Sequence, residues 1–519
     1  MGGLPVVILG EDSERTRGRD AQQSNIAAGK AVAEAVRTTL GPRGMDKMLV
    51  DSSGDMVVTN DGATILNEMD IEHPAAQMIV EVSESQEEEV GDGTTTAAVL
   101  AGELLAQAED LLEDDVHPTT IVEGYHEAAA IAQEAIGEVT LEEELTDEIL
   151  RSVAESSMTG KGTGGVTAET LAELVVETIR QVEGDDGVER ENVRMQTQVG
   201  GSSAETELVK GVVVDEEPAH DNMPRSVEDA SVAVLDLELD IRETEIDAEY
   251  TIEDIDQLNA AIEAEEAQLK GYADALVEAG VDVAFVTDDI EGRVASALAN
   301  AGVLAFEDID NKDARAIARA TGAKRLGSVD DIEDSDLGHV DHVHVERFGE
   351  DELAFVEGGA NAESVTVVVR GSTEHVTSEL ERALDDALDV VAAALDEGGV
   401  VPGAGATEIA IAERVRSEAA GITGRKQLAV EAFADAIDIL PRTLARNAGM
   451  DPIDALVDLR AAHDREGRAG VIATGEKGQI GDPVEEGILD PAAVKREAVE
   501  SAAEAATMIV RIDDVIAAN

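Results

Sequence analysis

The chain has 519 residues, with 114 acidic side chains against 38 lysines and arginines and a formal charge of -76. That balance excludes nucleic acid and anionic membrane surfaces as partners, because both recruit cationic protein faces. The absence of cysteine removes disulfides, thiolate chemistry and cysteine-ligated metals, and no run approaches the roughly 18 apolar residues of a membrane span.

The acids are spread along the whole chain while 43% of residues stay hydrophobic, so the composition predicts a folded protein with an acidic surface. Such a surface repels itself at low salt. At molar salt the screening length falls to about 3 Å, which points to a salt-rich cytoplasm as in an extreme halophile. The length suggests about three domains. The short apolar run Leu4 to Leu9 has no basic segment before it, so a signal peptide is not expected and the protein reads as cytoplasmic.

In chain order, Pro5 to Leu9 reads as a strand and Arg15 to Asp20 as a polar connection into a helix from about Ala21 to Leu40. Gly41-Pro42 ends that helix. Met48 to Asp51 and Met56 to Thr59 pair as a hairpin, and Asn60-Asp61-Gly62 opens the next helix, which places Asp61 at a strand-to-helix junction. Taken alone, that tripeptide is more often a plain turn. Gly91-Asp92-Gly93-Thr94-Thr95-Thr96 then leads into an apolar helix whose positions Ala97, Leu100, Ala101, Leu104, Ala108 and Leu111 share one face. A threonine is the expected cap, the glycines allow close backbone approach, and the first-turn N–H groups attract anions. Asp92 would repel a phosphate there unless a divalent cation sat between them, so the stretch reads as a phosphate and Mg²⁺ site, with a capped turn and a solvated aspartate as the alternative.

Thr159 to Gly165 is a glycine-rich loop carrying Lys161, either a phosphate sensor or a solvated hinge. It contains GxGxxG by letters, but a helix precedes it, which argues against a dinucleotide site. From Lys210 short apolar runs (Val212 to Val214, Val232 to Leu237, Val281 to Val286, Val303 to Phe306, Val365 to Val369) alternate with helices and predict an inserted α/β unit. Within it a long acidic helix begins near Ile252, packed on the sheet or protruding. His339, His342 and His344 have the look of a metal cluster, yet His342, His344 and Glu346 alternate with Val343 and Val345 as one face of a strand, and the strand reading is preferred. A second helical region starts near Ser378, with Asp385 and Asp386 at different azimuths of one helix. Gly398 to Gly405 forms another glycine-rich helix entry, and Met508 to Ile516 alternates like a strand that could pair with the N-terminal one.

Taken together, RTRGRDAQ from Arg15, TLGPRGMDKMLVD from Thr39, VTNDGATIL from Val58, GDGTTTAAVLAGELL from Gly91, GILDP from Gly487 and MIVRIDDVIAA from Met508 closely resemble the group II chaperonins, the archaeal thermosome subunits, over essentially the whole chain. The resemblance implies a multidomain α/β and mainly-α fold. A helical equatorial ATP-binding domain would span 1–145 and 398–519, a small intermediate domain 146–211 and 360–397, and an α/β apical domain 212–359, with a helical lid protrusion around 244–278. It implies an ATP-dependent folding chaperone working with Mg²⁺, assembled with other subunits into a double ring that encloses unfolded client proteins. Terminal strands would help to join neighbouring subunits. By motif, Asp92 would hold Mg²⁺, with Gly93, Thr94, Thr95 and Thr96 donating to the phosphates. Gly41 and Pro42 would line the nucleotide, and Asp61 and Asp386 would orient and activate the attacking water. Lys161 would sense the γ-phosphate, while Gly403 and Asp490 would contact the nucleoside. Asp385 remains the alternative to Asp386. The chain departs from the family where Pro402-Gly403-Ala404-Gly405 replaces the more usual glycine triplet and where Ile472 stands in place of a common asparagine. Other readings are a non-hydrolysing holdase or structural ring, and a dinucleotide enzyme that would need a strand before Gly160.

Overall fold

The computed structural model describes residues 14–50, 54, 56–141, 144–184, 187–240, 255–330, 332–348, 351–359, 364–396, 398–473 and 477–517. The chain divides into two compact units, one of residues 1–176 and 382–519 and the other of residues 177–381. Both boundaries fall inside continuous helices, Ala168–Val182 and Glu374–Asp396. The strand expected at Pro5 to Leu9 lies outside the described residues.

The first unit is built around the helix Thr94–Glu113. The whole expected face, Ala97, Leu100, Ala101, Leu104, Ala108 and Leu111, is buried, and in the first turns Ala98 and Val99 are buried as well, whereas Glu103, Gln107 and Asp110 mark a more open stripe further along. Small residues permit the burial. A Cβ added at Gly102 would lie 2.2 Å from the Cβ of Ala33, so the helix Arg19–Val36 can approach only a glycine there. The helices Pro74–Val90, Lys426–Ile437 and Ala492–Val510 close the other sides. Tyr125, one of few aromatics, donates its hydroxyl to the Leu104 carbonyl at 2.8 Å and meets Phe433 edge to face.

The C-terminal expectation changes. Met508 to Val510 belong to the helix Ala492–Val510, because Ala502, Ala505, Ala506, Ile509 and Val510 continue its buried helical spacing. Only Asp514–Ala517 is a strand, and it pairs antiparallel with Glu14–Arg17, a segment that reads by composition as a polar connection. Arg15 clamps the pair through an ion pair to Asp514. The predicted hairpin is present, Lys47–Val50 against Met56–Thr59. It leaves Met48 and Val50 more than 60% exposed.

The second unit carries a seven-stranded sheet. Its path runs Leu304–Phe306, Val283–Val286, Ser226–Leu235, Gly338–Phe348, Asp351–Gly359, Gly211–Val214, with Arg325–Leu326 beside Ser226–Leu235. Val283–Val286 and Leu304–Phe306 are parallel neighbours buried at every position, which is why they read as unbroken apolar runs. The run at Val365 belongs elsewhere: Val365–Gly371 joins Val193–Val199 and Glu207–Val209 in a separate three-stranded sheet. In the acidic helix Ile255–Glu278, Leu269, Tyr272, Ala273 and Leu276 are buried in this unit's core, so from Leu269 onward it is core and not arm. Residues 244–254 of the expected protrusion lie outside the described residues. Among the described residues no helix is long and apolar enough to cross a membrane.

Candidate functional site

The helix Pro74–Val90 ends on Gly91 at φ 68°, and two residues later Gly93, at φ 84°, caps the next helix. No threonine caps it. A Cβ at Gly93 would meet Gln86 and Val494 at 2.9 Å, so the tight two-helix junction requires glycine where the sequence suggested a hydroxyl cap. Thr94, Thr95 and Thr96 instead form the first turn, whose first helical bond is Ala97 N–H to the Gly93 carbonyl. Their N–H groups are the ones a helix leaves without an intrahelical acceptor, and the helix behind them is packed in the core.

Carboxylates gather around this turn. Asp61 caps the helix Gly62–Asn67, accepting from Thr64 N–H at 2.6 Å through one oxygen and from the Thr94 hydroxyl at 3.2 Å through the other. Asp92 accepts from the Gly93 N–H at 2.6 Å. On the helix Glu374–Asp396, Asp385 is exposed whereas Asp386 turns inward and pairs with Lys161. The loop bearing Lys161 is pinned by Asn60, which donates to the Gly160 carbonyl at 2.7 Å. A helix, Asp147–Met158, precedes this loop, so the strand that a dinucleotide site needs is not there.

Burial pushes the Asp386 carboxyl up to about 7, against the pull of Lys161 and with Asp92 and Asp61 adding to the rise. For Lys161 burial works to lower the value, but Asp386, Asp92 and Asp61 outweigh it and hold the ammonium above its ordinary range. The pair is thus a charged lysine against a carboxylate that takes up a proton near neutrality. Glu87 joins the cluster, lifted to about 7 by burial and then by Asp61. Three carboxylates, Asp61, Asp92 and Asp386, act on the one ammonium of Lys161, and carboxylate oxygen is the donor type that a hard divalent cation such as Mg²⁺ takes.

A cleft of about 320 Å³ links these residues to the second glycine-rich entry. Gly41, Pro42, Asp61, Lys161 and Asp490 line it together with the turn from Asp92 to Thr96. Gly41, at φ 83°, sits where a Cβ would lie 2.3 Å from Leu444. Val400–Pro402 pairs antiparallel with Leu489–Pro491, which brings Gly403 beside Asp490: a Cβ at Gly403 would lie 3.2 Å from both carboxylate oxygens. Ala404 holds φ 56°, a left-handed backbone that glycine adopts without strain. Ile472 is buried, and its neighbours Val471 and Ala473 line the cleft in its stead.

Sequence reasoning missed Lys495 and Glu408. Lys495 Nζ lies 2.8 Å from both Glu408 Oε1 and Asp490 Oδ2, and this desolvated ammonium is held above its usual range because the two carboxylates outweigh its burial. The signal was available: a lone lysine in the first turns of an alanine-rich helix, just after Asp490. Every residue singled out for the site therefore sits in the first unit, around one cleft or directly against a residue that lines it.

The profile of the TCP-1/cpn60 chaperonin family matches residues 32–519. The chain belongs to that family. It is similar to thermosome subunit 3 of Haloferax volcanii, with 69% identity over 99% of both chains. Thermosome subunit 1 of the same organism is 55% identical over all of this chain and 92% of its own length. Thermosome subunit alpha of Halobacterium salinarum is 52% identical with the same coverage. The acidic composition accords with such halophilic relatives, and the helical unit with an inserted α/β unit is the architecture of a chaperonin subunit.

Proposed function

We propose that this chaperonin subunit binds and hydrolyses Mg-ATP in the cleft of the first unit and spends that cycle on folding unfolded client proteins inside a double ring in the cytoplasm. The observation that carries the reading is the buried Lys161–Asp386 pair set against Asp61, Asp92 and the uncapped helix turn at Thr94. The N–H groups of Thr94, Thr95 and Thr96 bind phosphate oxygens, and Asp92 holds Mg²⁺, which neutralises phosphate charge when bound. Asp61, fixed by its two hydrogen bonds, orients the attacking water. Asp386 takes the proton of that water as its oxygen bonds to phosphorus and the bond to the leaving diphosphate breaks. Lys161 exchanges its Asp386 partner for the γ-phosphate and so reports occupancy. Asp490, positioned by Lys495, meets the nucleoside.

For assembly, the exposed Met48, Val50, Met56 and Val58 of the hairpin offer an apolar surface for a neighbouring subunit, with the paired terminal strands as a second edge. Haloferax volcanii has thermosome subunits 1, 2 and 3, which supports rings of mixed composition. The α/β unit serves as the apical, client-binding domain. High salt screens its charge and strengthens apolar attraction, so apolar patches grip the client. Light scattering in molar KCl with and without Mg-ATP, followed by turnover of Asp386→Ala, tests the reading. A large multiple of 54.3 kDa with turnover lost in the variant supports it. A ring that hydrolyses no ATP, or a variant with unchanged turnover, overturns the hydrolytic assignment.

A further inference from the structure

The pattern His-Val-His places His342 and His344 on one face of the strand Gly338–Phe348, and the sheet register sets Glu357 directly across from His342. We propose that His342, His344 and Glu357 form a binding site for a borderline divalent cation, zinc first among them. The Nδ1 atoms of His342 and His344 lie 3.8 and 3.5 Å from the same oxygen, Oε2 of Glu357. These separations exceed a hydrogen bond, but they approach the roughly 3.3 Å between ligand atoms around a tetrahedral cation with bonds of about 2.0–2.1 Å. All three ligand atoms lie within 4.8 Å of one another.

The tautomers agree with ligation. His342 Nε2 lies 2.9 Å from the Ser226 hydroxyl, and His344 Nε2 lies 3.4 Å from a carboxylate oxygen of Glu346. A carboxylate accepts, so the tautomer with its proton on Nε2 toward Glu346 would turn the Nδ1 lone pair toward Glu357. That Nδ1 is buried and has no hydrogen-bond partner, although it faces the Glu357 carboxylate. In that tautomer a cation between Nδ1 and the carboxylate satisfies both. Outward donation of the other ring N–H is the usual support of a metal-bound imidazole. The rings are held in place by stacking, His342 on His344 with centroids 4.5 Å apart and His344 on Phe355 at 4.9 Å.

Two imidazoles with one carboxylate favour zinc, copper or nickel over Mg²⁺. A bound cation would tie Gly338–Phe348 and Asp351–Gly359 together, stabilising the folded sheet by mass action.

Cobalt(II) is the probe, because four-coordinate cobalt with nitrogen ligands absorbs visible light far more strongly than the six-coordinate, oxygen-bound ion. The full chain, treated with chelator and dialysed into molar KCl with excess Mg²⁺, should take up one Co²⁺ per chain with the four-coordinate spectrum and release it to Zn²⁺. His342→Gln and His344→Gln should each weaken binding at least tenfold. Glu357→Gln, which keeps both imidazoles and the strand pairing, should do the same and serves if a histidine variant does not fold. A six-coordinate spectrum in the wild type, or unchanged affinity in Glu357→Gln, overturns the site.

Discussion

Two buried lysines line the same cleft, and they are held in different ways. Lys161 sits on a glycine-rich loop and has one ion partner, Asp386, whose carboxyl titrates near neutrality. Lys495 sits in a helix between two carboxylates, Glu408 and Asp490, at 2.8 Å each. The first arrangement can be opened at the cost of one proton or one competing anion, so it suits a group that changes partner during a reaction. The second leaves two uncompensated charges if broken, so it suits a fixed wall. Buried ion pairs contribute little to stability relative to apolar packing, but removing one partner costs a great deal.

Mutation tests that contrast, and the largest effect is expected on turnover. Asp386→Ala should cut ATP hydrolysis by about 10²- to 10⁴-fold while nucleotide binding persists, read by steady-state kinetics beside equilibrium titration. Next comes stability: Lys495→Met should destabilise the chain by about 3–5 kcal/mol in denaturant unfolding, since Glu408 is only 4% exposed and loses its cation. Lys161→Met should cost less near pH 7, because Asp386 can escape its isolation by taking up a proton. Equal losses in the two lysine variants would erase the distinction.

A pH series sharpens it further. Turnover should rise with pH through about 7 as Asp386 ionises, with a slope of one proton that disappears in Asp386→Asn. Stability should move the other way. A carboxyl whose folded value lies above its unfolded 3.8 contributes fully below that value and loses its contribution as pH rises through about 7. Comparing unfolding of wild type and Asp386→Asn between pH 4 and 8 isolates this slope. The smallest effect belongs to Ala404→Gly. Relief of a left-handed alanine, worth about 1–2 kcal/mol, is offset by the greater freedom glycine gives the unfolded chain, so the net change should stay within about 1 kcal/mol.

The cleft was legible where its chemistry is contiguous. Asp61 caps a helix by accepting from an N–H only three residues on, and Asp92 to Thr96 form one turn, so motif and geometry coincide. Asp386 over Asp385 required the helix azimuth, which packing decides. Lys495 with Glu408, and His342 with Glu357, join residues far apart in sequence through a short antiparallel ribbon and a sheet register that no local pattern encodes. The cap at Gly93 was misread because a threonine satisfies the local rule, whereas Gln86 and Val494 leave no room for any side chain. At the C-terminus, alternation over a few residues lost to a longer helical period.

The first unit is completed by two pieces of chain separated by the whole of residues 177–381. During synthesis the α/β insert emerges and can finish folding before the helices Lys426–Ile437 and Ala492–Val510 exist to close over Thr94–Glu113. The central helix must therefore wait with apolar flanks uncovered. Closure across a long insert adds little equilibrium cost, because loop entropy grows only logarithmically, but it delays the non-local contacts on which the rate depends. A chain of this design keeps apolar surface uncovered for longer during synthesis than one whose core is contiguous in sequence, which lengthens the interval open to aggregation.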